Sequence, residues 1–245
     1  MITLALDTSH PVGSVALARD GTVLGTAQFR EPSSHLVALG TSFEHVLHAA
    51  TLKPPAIDRL AVVTGPGSFT GLRIGLSFAK GLHAALGMAV VTIDALRLLA
   101  LPWLPDGARV CAMIDARRGE VYAAMYERDQ RAIQAADPAA AHETIAPRAQ
   151  ALSEWLTSLH TDPDVFVGTG AYAHRDMLHA RYPAALIVQG DAIYPSTSHF
   201  AAIAHLMHAL DENAVRTLEP FYLRPSGAEQ VRLRAHAGPM ERGHE

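Results

Sequence analysis

The chain has 245 residues and a formal net charge of -4, and 49% of its residues are hydrophobic and 18% charged. This composition is typical of a globular protein, and the length allows one large domain or two of modest size. The single cysteine, Cys111, excludes an intrachain disulfide and a thiolate zinc cluster, which favours a reducing, cytoplasmic environment. The N-terminus lacks the features of a signal peptide, and charged residues interrupt the apolar run 81–104, so we expect no membrane span.

The first half of the chain alternates between patterns typical of strands and of helices. Asp20-Gly21 between two apolar runs is a strong hairpin signal. The predicted strands are 2–6, 12–18, 22–29, 59–64 and 89–93. The predicted helices are 34–50, with Ser33 and Ser34 as capping residues, 69–86 and about 94–101.

The second half repeats this order of elements. Two strands come first, then a polar, alanine-rich stretch at 128–147. Further predicted strands and helices follow this stretch. The predicted strands of the second half are 109–115, 120–127, 164–168 and 185–189. Its predicted helices are about 148–159, 171–180 and 197–210. The repetition predicts a duplicated α/β architecture with domains at 1–104 and 105–225, followed by a flexible tail at 226–245.

The densest glycine segment, 65–75, lies where a strand hands over to a helix, and such a position can present backbone N–H groups to an anion. Its spacing fits neither the dinucleotide fingerprint nor the phosphate-binding loop. Within it Gly71, Gly75 and Ala79 recur at i, i+4 and i+8, so they share one helix face and allow another backbone to approach closely. The neighbour is either internal or another subunit.

Two other groups of polar residues were considered for chemistry. Asp7-Thr8-Ser9 ends the first strand, where it either supports a nucleotide phosphate or forms a capped turn. The histidine pairs at 45/48 and 205/208 lack both the i, i+4 spacing and the nearby carboxylate of helical zinc sites, so the sequence predicts no metal site.

The glycine segment also resembles a family hallmark. Gly-Pro-Gly-Ser-Phe-Thr-Gly-Leu-Arg-Ile-Gly at 65–75 is similar to the signature of the TsaB (YeaZ) family. The segments 4–9, 115–122, 168–170 and 220–224 resemble that family's remaining signatures in the same order, so the resemblance covers about residues 2–224.

This resemblance implies an α/β fold of two tandem actin-like (sugar kinase, Hsp70 and actin, or ASKHA) domains, with mixed five-stranded sheets flanked by helices. It implies a partner subunit for the catalytic relative TsaD, which threonylcarbamoylates the adenosine next to the anticodon in tRNAs reading A-starting codons. Aligning the two families places the metal-binding histidines of TsaD at Ala95 and Leu99 here. Neither side chain coordinates a metal, so we expect a non-catalytic pseudoenzyme subunit.

The resemblance also assigns expected sites and partners. The helices 34–50 and 69–86 are expected to dock on TsaD, and the same surface could form a homodimer. The further expected partners are the ATPase TsaE and, through the complex, tRNA; ATP or ADP is expected in the assembly, with no cofactor intrinsic to this chain. The predicted interface residues are Gly67, Ser68, Phe69, Thr70, Gly71, Leu72, Arg73, Gly75, Leu76 and Ala79, and the predicted vestigial nucleotide cleft comprises Asp7, Thr8, Ser9, Asp115, Gly168 and Gly170.

Two alternatives stay open at this point. A self-sufficient actin-like ATPase or kinase would use Asp7, Thr8 and Ser9 at the first phosphate position, and Asp7→Ala would abolish its Mg-dependent turnover. A metalloprotease would retain stoichiometric metal through purification.

Overall fold

The computed structural model describes residues 1–30, 35–104, 107–128 and 141–224. The first sheet is mixed and has five strands in the order β3-β2-β1-β4-β5. Its first three strands are antiparallel neighbours, and β4 and β5 extend it in parallel. The strands are β1 (Ile2–Asp7), β2 (Gly13–Arg19), β3 (Thr22–Phe29), β4 (Arg59–Val63) and β5 (Ala89–Ile93).

The second sheet has the same architecture, with five strands in the order β10-β9-β6-β7-β8. Again three antiparallel strands come first along the chain and two parallel strands complete the sheet. The strands are β6 (Arg109–Asp115), β7 (Glu120–Arg128), β8 (Ala141–Ala151), β9 (Val165–Val167) and β10 (Leu186–Ile187). Two mixed five-stranded sheets confirm the predicted duplication.

Helices cover the sheets and lie between them. The α-helices are α1 (His35–Ala49), α2 (Phe69–Leu86), α3 (Ala95–Ala100), α4 (Leu152–Ser158), α5 (Thr169–Ala173), α6 (Arg175–Arg181), α7 (Thr197–Ala204) and α8 (Glu212–Thr217). Short 3-10 turns occur at Pro54–Ala56, Leu101–Trp103 and Gly190–Ile193.

One continuous apolar core joins the two sheets through α3 and α7. The helix α3 packs on β6, β7 and β8, whereas α7 packs on the strands of the first sheet. Residues of both sheets, such as Val63 and Val110, belong to the same buried cluster as Leu98 of α3 and Phe200 of α7. The C-terminal part of the chain therefore returns to the first sheet, and the domain boundary near residue 105 stays a prediction.

The structure corrects several predicted elements of the second half. The stretch predicted as polar and irregular contains the start of β8, and the helix predicted at 148–159 begins only at Leu152. In β8 buried or half-buried residues alternate with exposed ones over 141–148, because only one face of this edge strand is covered. The helix predicted at 171–180 is two short helices, and α7 ends at Ala204 rather than near 210. Ser33, Ser34 and the tail 226–245 lie outside the described residues.

Candidate functional site

The glycine-rich segment is built around the start of α2. Ser68 caps this helix, since its Oγ accepts a hydrogen bond of 3.2 Å from the backbone N–H of Gly71. The backbone N–H of Ser68 donates to the carbonyl oxygen of Ser9 at 2.7 Å. The turn before α2 is thereby attached to the turn after β1.

The small residues of α2 pack against this same turn. A Cβ atom added to Gly71 would lie 2.0 Å from the carbonyl oxygen of Thr8, and one added to Gly75 would lie 2.3 Å from Oγ1 of Thr8. The Thr8 hydroxyl donates a hydrogen bond of 2.7 Å to the carbonyl oxygen of Gly71. A Cβ atom at Gly67 would lie 2.3 Å from the carbonyl oxygen of Ser9. The neighbour that requires these glycines is internal.

Half of the predicted interface residues pack within the chain itself. The residues of α2 that face the chain's own core are Gly71, Leu72, Gly75, Leu76 and Ala79. Leu72, Leu76 and Ala79 are each at most 3% exposed. These side chains and glycines are covered within the chain, and that they also contact another subunit stays a prediction. The small residues do share one face of α2. That face packs against the turn after β1.

The opposite face of α2 is open and adjoins α1. A groove of about 310 Å³ lies between the two helices, and it is lined largely by apolar atoms. Leu36 and Val37 at the start of α1 are 58% and 66% exposed. We call the exposed and half-buried residues of this region the docking surface: Leu36, Val37, Phe69, Thr70, Arg73, Ile74 and Ser77. Of the predicted interface residues it retains Phe69, Thr70 and Arg73, and Ser68 lies exposed beside them.

The C-terminal strap (residues 220–224) borders this surface. The guanidinium of Arg73 lies 3.8 Å from the centroid of the Phe69 ring, and that ring stacks on Tyr222 with centroids 4.9 Å apart. The backbone N–H of Phe221 donates to the carbonyl oxygen of Thr64, which fixes the strap to the end of β4. The sequence reasoning missed Tyr222 as part of this region, although the motif at 220–224 was the available signal.

The strap also reaches the second sheet. Arg224 forms an ion pair with Glu120, the first residue of β7. The strap therefore connects the docking surface to both sheets.

The predicted cleft residues of the first sheet are buried in their own turn. Asp7, Thr8 and Ser9 are each at most 2% exposed. Oδ1 of Asp7 accepts a hydrogen bond of 2.7 Å from the backbone N–H of Ser9, and Oγ of Ser9 lies 2.7 Å from Nδ1 of His10. Oδ2 of Asp7 and Nε2 of His10 have no hydrogen-bond partner among the described residues. The bond from the backbone N–H of Ser9 to the Asp7 carboxylate is that of a capped turn.

The cleft residues of the second sheet lie together at the ends of β6 and β9. The backbone N–H of Asp115 donates to Oγ1 of Thr169 at 3.1 Å, and Oδ1 of Asp115 accepts from the backbone N–H of Arg117 at 2.8 Å. Gly168 and Gly170 pack against the backbone of β6. Among the described residues, no hydrogen bond or ion pair joins this group to Asp7, Thr8 or Ser9. That the two groups together form a vestigial nucleotide cleft stays a prediction.

The positions aligned with catalytic metal ligands are part of the core. Ala95 and Leu99 on α3 are 0% and 2% exposed and belong to the central apolar cluster. Within the described parts of the chain, no group of three histidine, cysteine or acidic side chains is placed to hold a metal ion. Burial raises the pKa of the Cys111 thiol to about 12, so this thiol does not supply a nucleophilic thiolate at neutral pH.

A polar network joins α3 to the second sheet. Arg97 donates to Oε1 of Glu143 at 2.7 Å and to the carbonyl oxygen of Ala141 at 2.9 Å, and it lies 3.5 Å from Asp94. The hydroxyl of Tyr126 donates to Asp94 at 3.3 Å. Burial raises the pKa of the Asp94 carboxyl, although the backbone N–H of Arg97 and its positive charge act in the opposite direction. This network holds α3 against the second sheet. It does not form an open binding site.

The helices of the described regions include none that is long and apolar enough to span a membrane.

Comparison with known proteins agrees with this architecture. Residues 31–230 match the family model described as TsaD: tRNA N6-adenosine threonylcarbamoyltransferase. The tRNA threonylcarbamoyladenosine biosynthesis protein TsaB of Escherichia coli (strain K12) is 36% identical over 232 residues, which cover 91% of this chain and 95% of that protein.

Solved structures show the same similarity. YeaZ from Pseudomonas aeruginosa has a TM-score of 0.71 at 25% sequence identity, covering 91% of this chain and 99% of that chain. The ethanolamine utilization protein EutJ from Carboxydothermus hydrogenoformans shares the fold, with a TM-score of 0.53 at 12% identity, covering 83% and 89% of the two chains. The predicted fold class of two actin-like domains is thereby confirmed. The chain belongs to the TsaB (YeaZ) family of tRNA threonylcarbamoyladenosine biosynthesis proteins.

Proposed function

We propose that this chain is a non-catalytic partner subunit that docks on the catalytic TsaD relative. Docking is required for threonylcarbamoylation of the adenosine next to the anticodon in tRNAs reading A-starting codons. The observation that carries the proposal is the docking surface, where exposed apolar side chains of α1 and half-buried apolar side chains of α2 surround a groove. Contiguous exposed apolar area of this kind is typical of protein–protein contacts.

The identity of the occupant follows from the family relationship. Most of this chain matches the TsaD model, so the catalytic relative is expected to have a helix pair equivalent to α1 and α2. Two such pairs can oppose each other as a four-helix contact. In the absence of the catalytic relative the same surface would form a homodimer. TsaE, ATP or ADP, and tRNA belong to this proposal as components of the assembled complex.

The non-catalytic role is supported by the composition of α3. A helical metal pair needs two coordinating side chains one turn apart on an accessible face. Ala95 and Leu99 have this spacing, but both are apolar and buried. Replacing them with ligands would place polar groups in the central core without an open coordination site. The reacting groups of the transferase would therefore be supplied by the partner.

Omit-one reconstitution tests the proposal. Full-length chain, TsaD relative, ATPase partner, tRNA and pre-made threonylcarbamoyl adenylate are combined, each component is left out once, and modified adenosine is measured. We expect product only when this chain and the TsaD relative are both present. Modification of tRNA by this chain unaided, or an unchanged yield without it, would contradict the proposal.

Variants of the docking surface locate the contact. Leu36→Glu and Ile74→Glu place a charge at the groove, and we expect each to weaken binding to the TsaD relative at least tenfold in titration calorimetry. Met177→Glu is the matched control, because Met177 on α6 is 47% exposed and lies away from the groove. Equal binding by all three variants, with unchanged thermal midpoints, would place the contact elsewhere.

A further inference from the structure

A second cavity, separate from the docking surface, lies where the two halves of the molecule meet. It has a volume of about 400 Å³ and is bounded by β2 and β3, by the end of α3 and by the segment leading into α7. None of the residues predicted for partner docking or for the nucleotide cleft lines it. Its volume is within the range of small-molecule sites, roughly 300 to 1,000 Å³. We call it the seam cavity.

Two largely buried residues present hydroxyl groups to the seam cavity. Ser14 on β2 and Thr197 at the start of α7 both line it and are 7% and 4% exposed. Neither side chain makes a hydrogen bond to any residue within the described ranges. The two hydroxyl oxygens are not among the fully enclosed unpartnered atoms of the described residues, so they reach the open space of the cavity, where a polar ligand can bond to them.

The first turn of α7 opens onto the same cavity. Oγ of Ser196 accepts a hydrogen bond of 3.1 Å from the backbone N–H of His199. The backbone N–H groups of Thr197 and Ser198 have no acceptor in the part of the chain that the structure describes. All four residues line the cavity. Free N–H groups at a helix N-terminus, together with adjacent hydroxyls, form a site suited to a carboxylate.

The other charges at the cavity restrict the ligand. Asp191 lines it and is exposed, whereas no lysine or arginine is among the described lining residues. Arg30 lies 5.8 Å from the ring centroid of Tyr194, a lining residue, but does not itself line the cavity. A polyphosphate would place several negative charges beside Asp191 without a cation in the lining. A molecule that carries both a carboxylate and an ammonium group can place the carboxylate at the first turn of α7 and the ammonium group at Asp191.

The remaining wall is apolar. Leu98 and Leu99 of α3 and Pro102 and Trp103 beyond it line the cavity opposite the hydroxyls. This wall can bury a small side chain. We propose that the seam cavity binds a free α-amino acid, with its carboxylate at the first turn of α7, its ammonium group at Asp191 and its side chain against this wall. The site is independent of docking on the TsaD relative.

Titration calorimetry of the full-length chain against the standard amino acids tests this site, with inorganic phosphate and ADP as comparators. We expect at least one amino acid to bind with a dissociation constant of millimolar or lower and to raise the thermal midpoint in proportion to its concentration. Binding of ADP or phosphate instead, or no binding by any amino acid, would overturn the proposal.

Variants assign the binding to the seam cavity. Thr197→Val keeps the shape of the side chain but removes its hydroxyl, and we expect it to weaken binding at least tenfold. Asp191→Asn, on an exposed residue that does not endanger folding, should weaken binding of the amino acid but not of the corresponding carboxylate without an amino group. Ser153→Ala on α4 is the control, since Ser153 is exposed and outside the cavity. Unchanged binding by Asp191→Asn and Thr197→Val would contradict the assignment even if an amino acid binds.

Discussion

The hydroxyl of Tyr222 accepts a hydrogen bond of 3.0 Å from Nε of Arg73, although the two residues are 149 positions apart in the sequence. This contact ties the C-terminal strap to the exposed face of α2. Because the Arg73 guanidinium lies over the Phe69 ring and that ring stacks on Tyr222, the three side chains restrain one another. Part of the docking surface is therefore held in place by the strap.

Truncation of Tyr222 should loosen this surface. Tyr222→Ala removes the ring stack and the hydrogen bond, so we expect affinity for the TsaD relative to fall by about 1 to 2 kcal/mol. Tyr222→Phe keeps the stack, and its effect should be less than half as large. Titration calorimetry with both variants measures the difference. Equal losses for the two variants would show that the hydrogen bond, not the stack, orders the strap.

Substitution of Gly75 should destabilise the monomer itself. Gly75→Ala brings a methyl group to 2.3 Å from Oγ1 of Thr8, which forces α2 away from β1, and we expect a loss of about 1 to 3 kcal/mol in the free energy of unfolding. Gly81→Ala on the same helix is the matched control, because no atom lies within 4 Å of its added Cβ. The control should gain about 1 kcal/mol from helix propensity.

Urea unfolding of the isolated chain gives both numbers. If Gly75→Ala left the unfolding midpoint unchanged and weakened only partner binding, the internal packing of this stripe would be refuted. A subunit contact would then be the better explanation of this glycine.

The fold was largely predictable from the sequence, and the reason is visible in the first half. Strands such as β3 and β5 and the helix α2 have the predicted bounds, because turn residues and apolar periodicity act locally. In β8 the alternation was obscured by alanines and by Pro147, which also lack strong strand preference. Local sequence is weak evidence for such an edge strand.

The site was less predictable, because it depends on which distant segments meet. The spacing of Gly71 and Gly75 predicted a close neighbour, but only the three-dimensional arrangement identifies that neighbour as Thr8. Likewise nothing local to Tyr222 indicates that it lies against α2. Residue spacing shows which residues share one face of a helix. Which segment packs against that face is decided by the tertiary structure.

Removal of Arg97 should weaken the attachment of α3 to β8. Arg97→Met deletes the hydrogen bonds to Glu143 and to the carbonyl oxygen of Ala141, and it leaves the half-buried Asp94 without its cation. We expect a loss of about 2 to 4 kcal/mol in the free energy of unfolding. Arg175→Met is the control: its ion pair with Asp176 is exposed and should contribute at most about 0.5 kcal/mol. Similar small losses for both variants in urea unfolding would show that the Arg97 network contributes little.

The stability of the chain should depend on pH through His199. Burial lowers the pKa of this imidazole below its ordinary value of 6.5, so the folded state holds the neutral form. The unfolded chain therefore binds a proton more readily than the folded chain does. The stability that His199 contributes is fully present above about pH 6.5 and is lost as the pH falls through the lowered, folded-state pKa.

Comparison of His199→Gln with the parent chain isolates this contribution from the other histidines. Glutamine does not titrate, so the parent should lose more stability than the variant between pH 8 and pH 5. Urea midpoints at the two pH values measure the difference. The parent and His199→Gln could instead show an identical pH dependence. The imidazole would then be equally easy to protonate in the folded and unfolded states, and the burial of His199 would not lower its pKa.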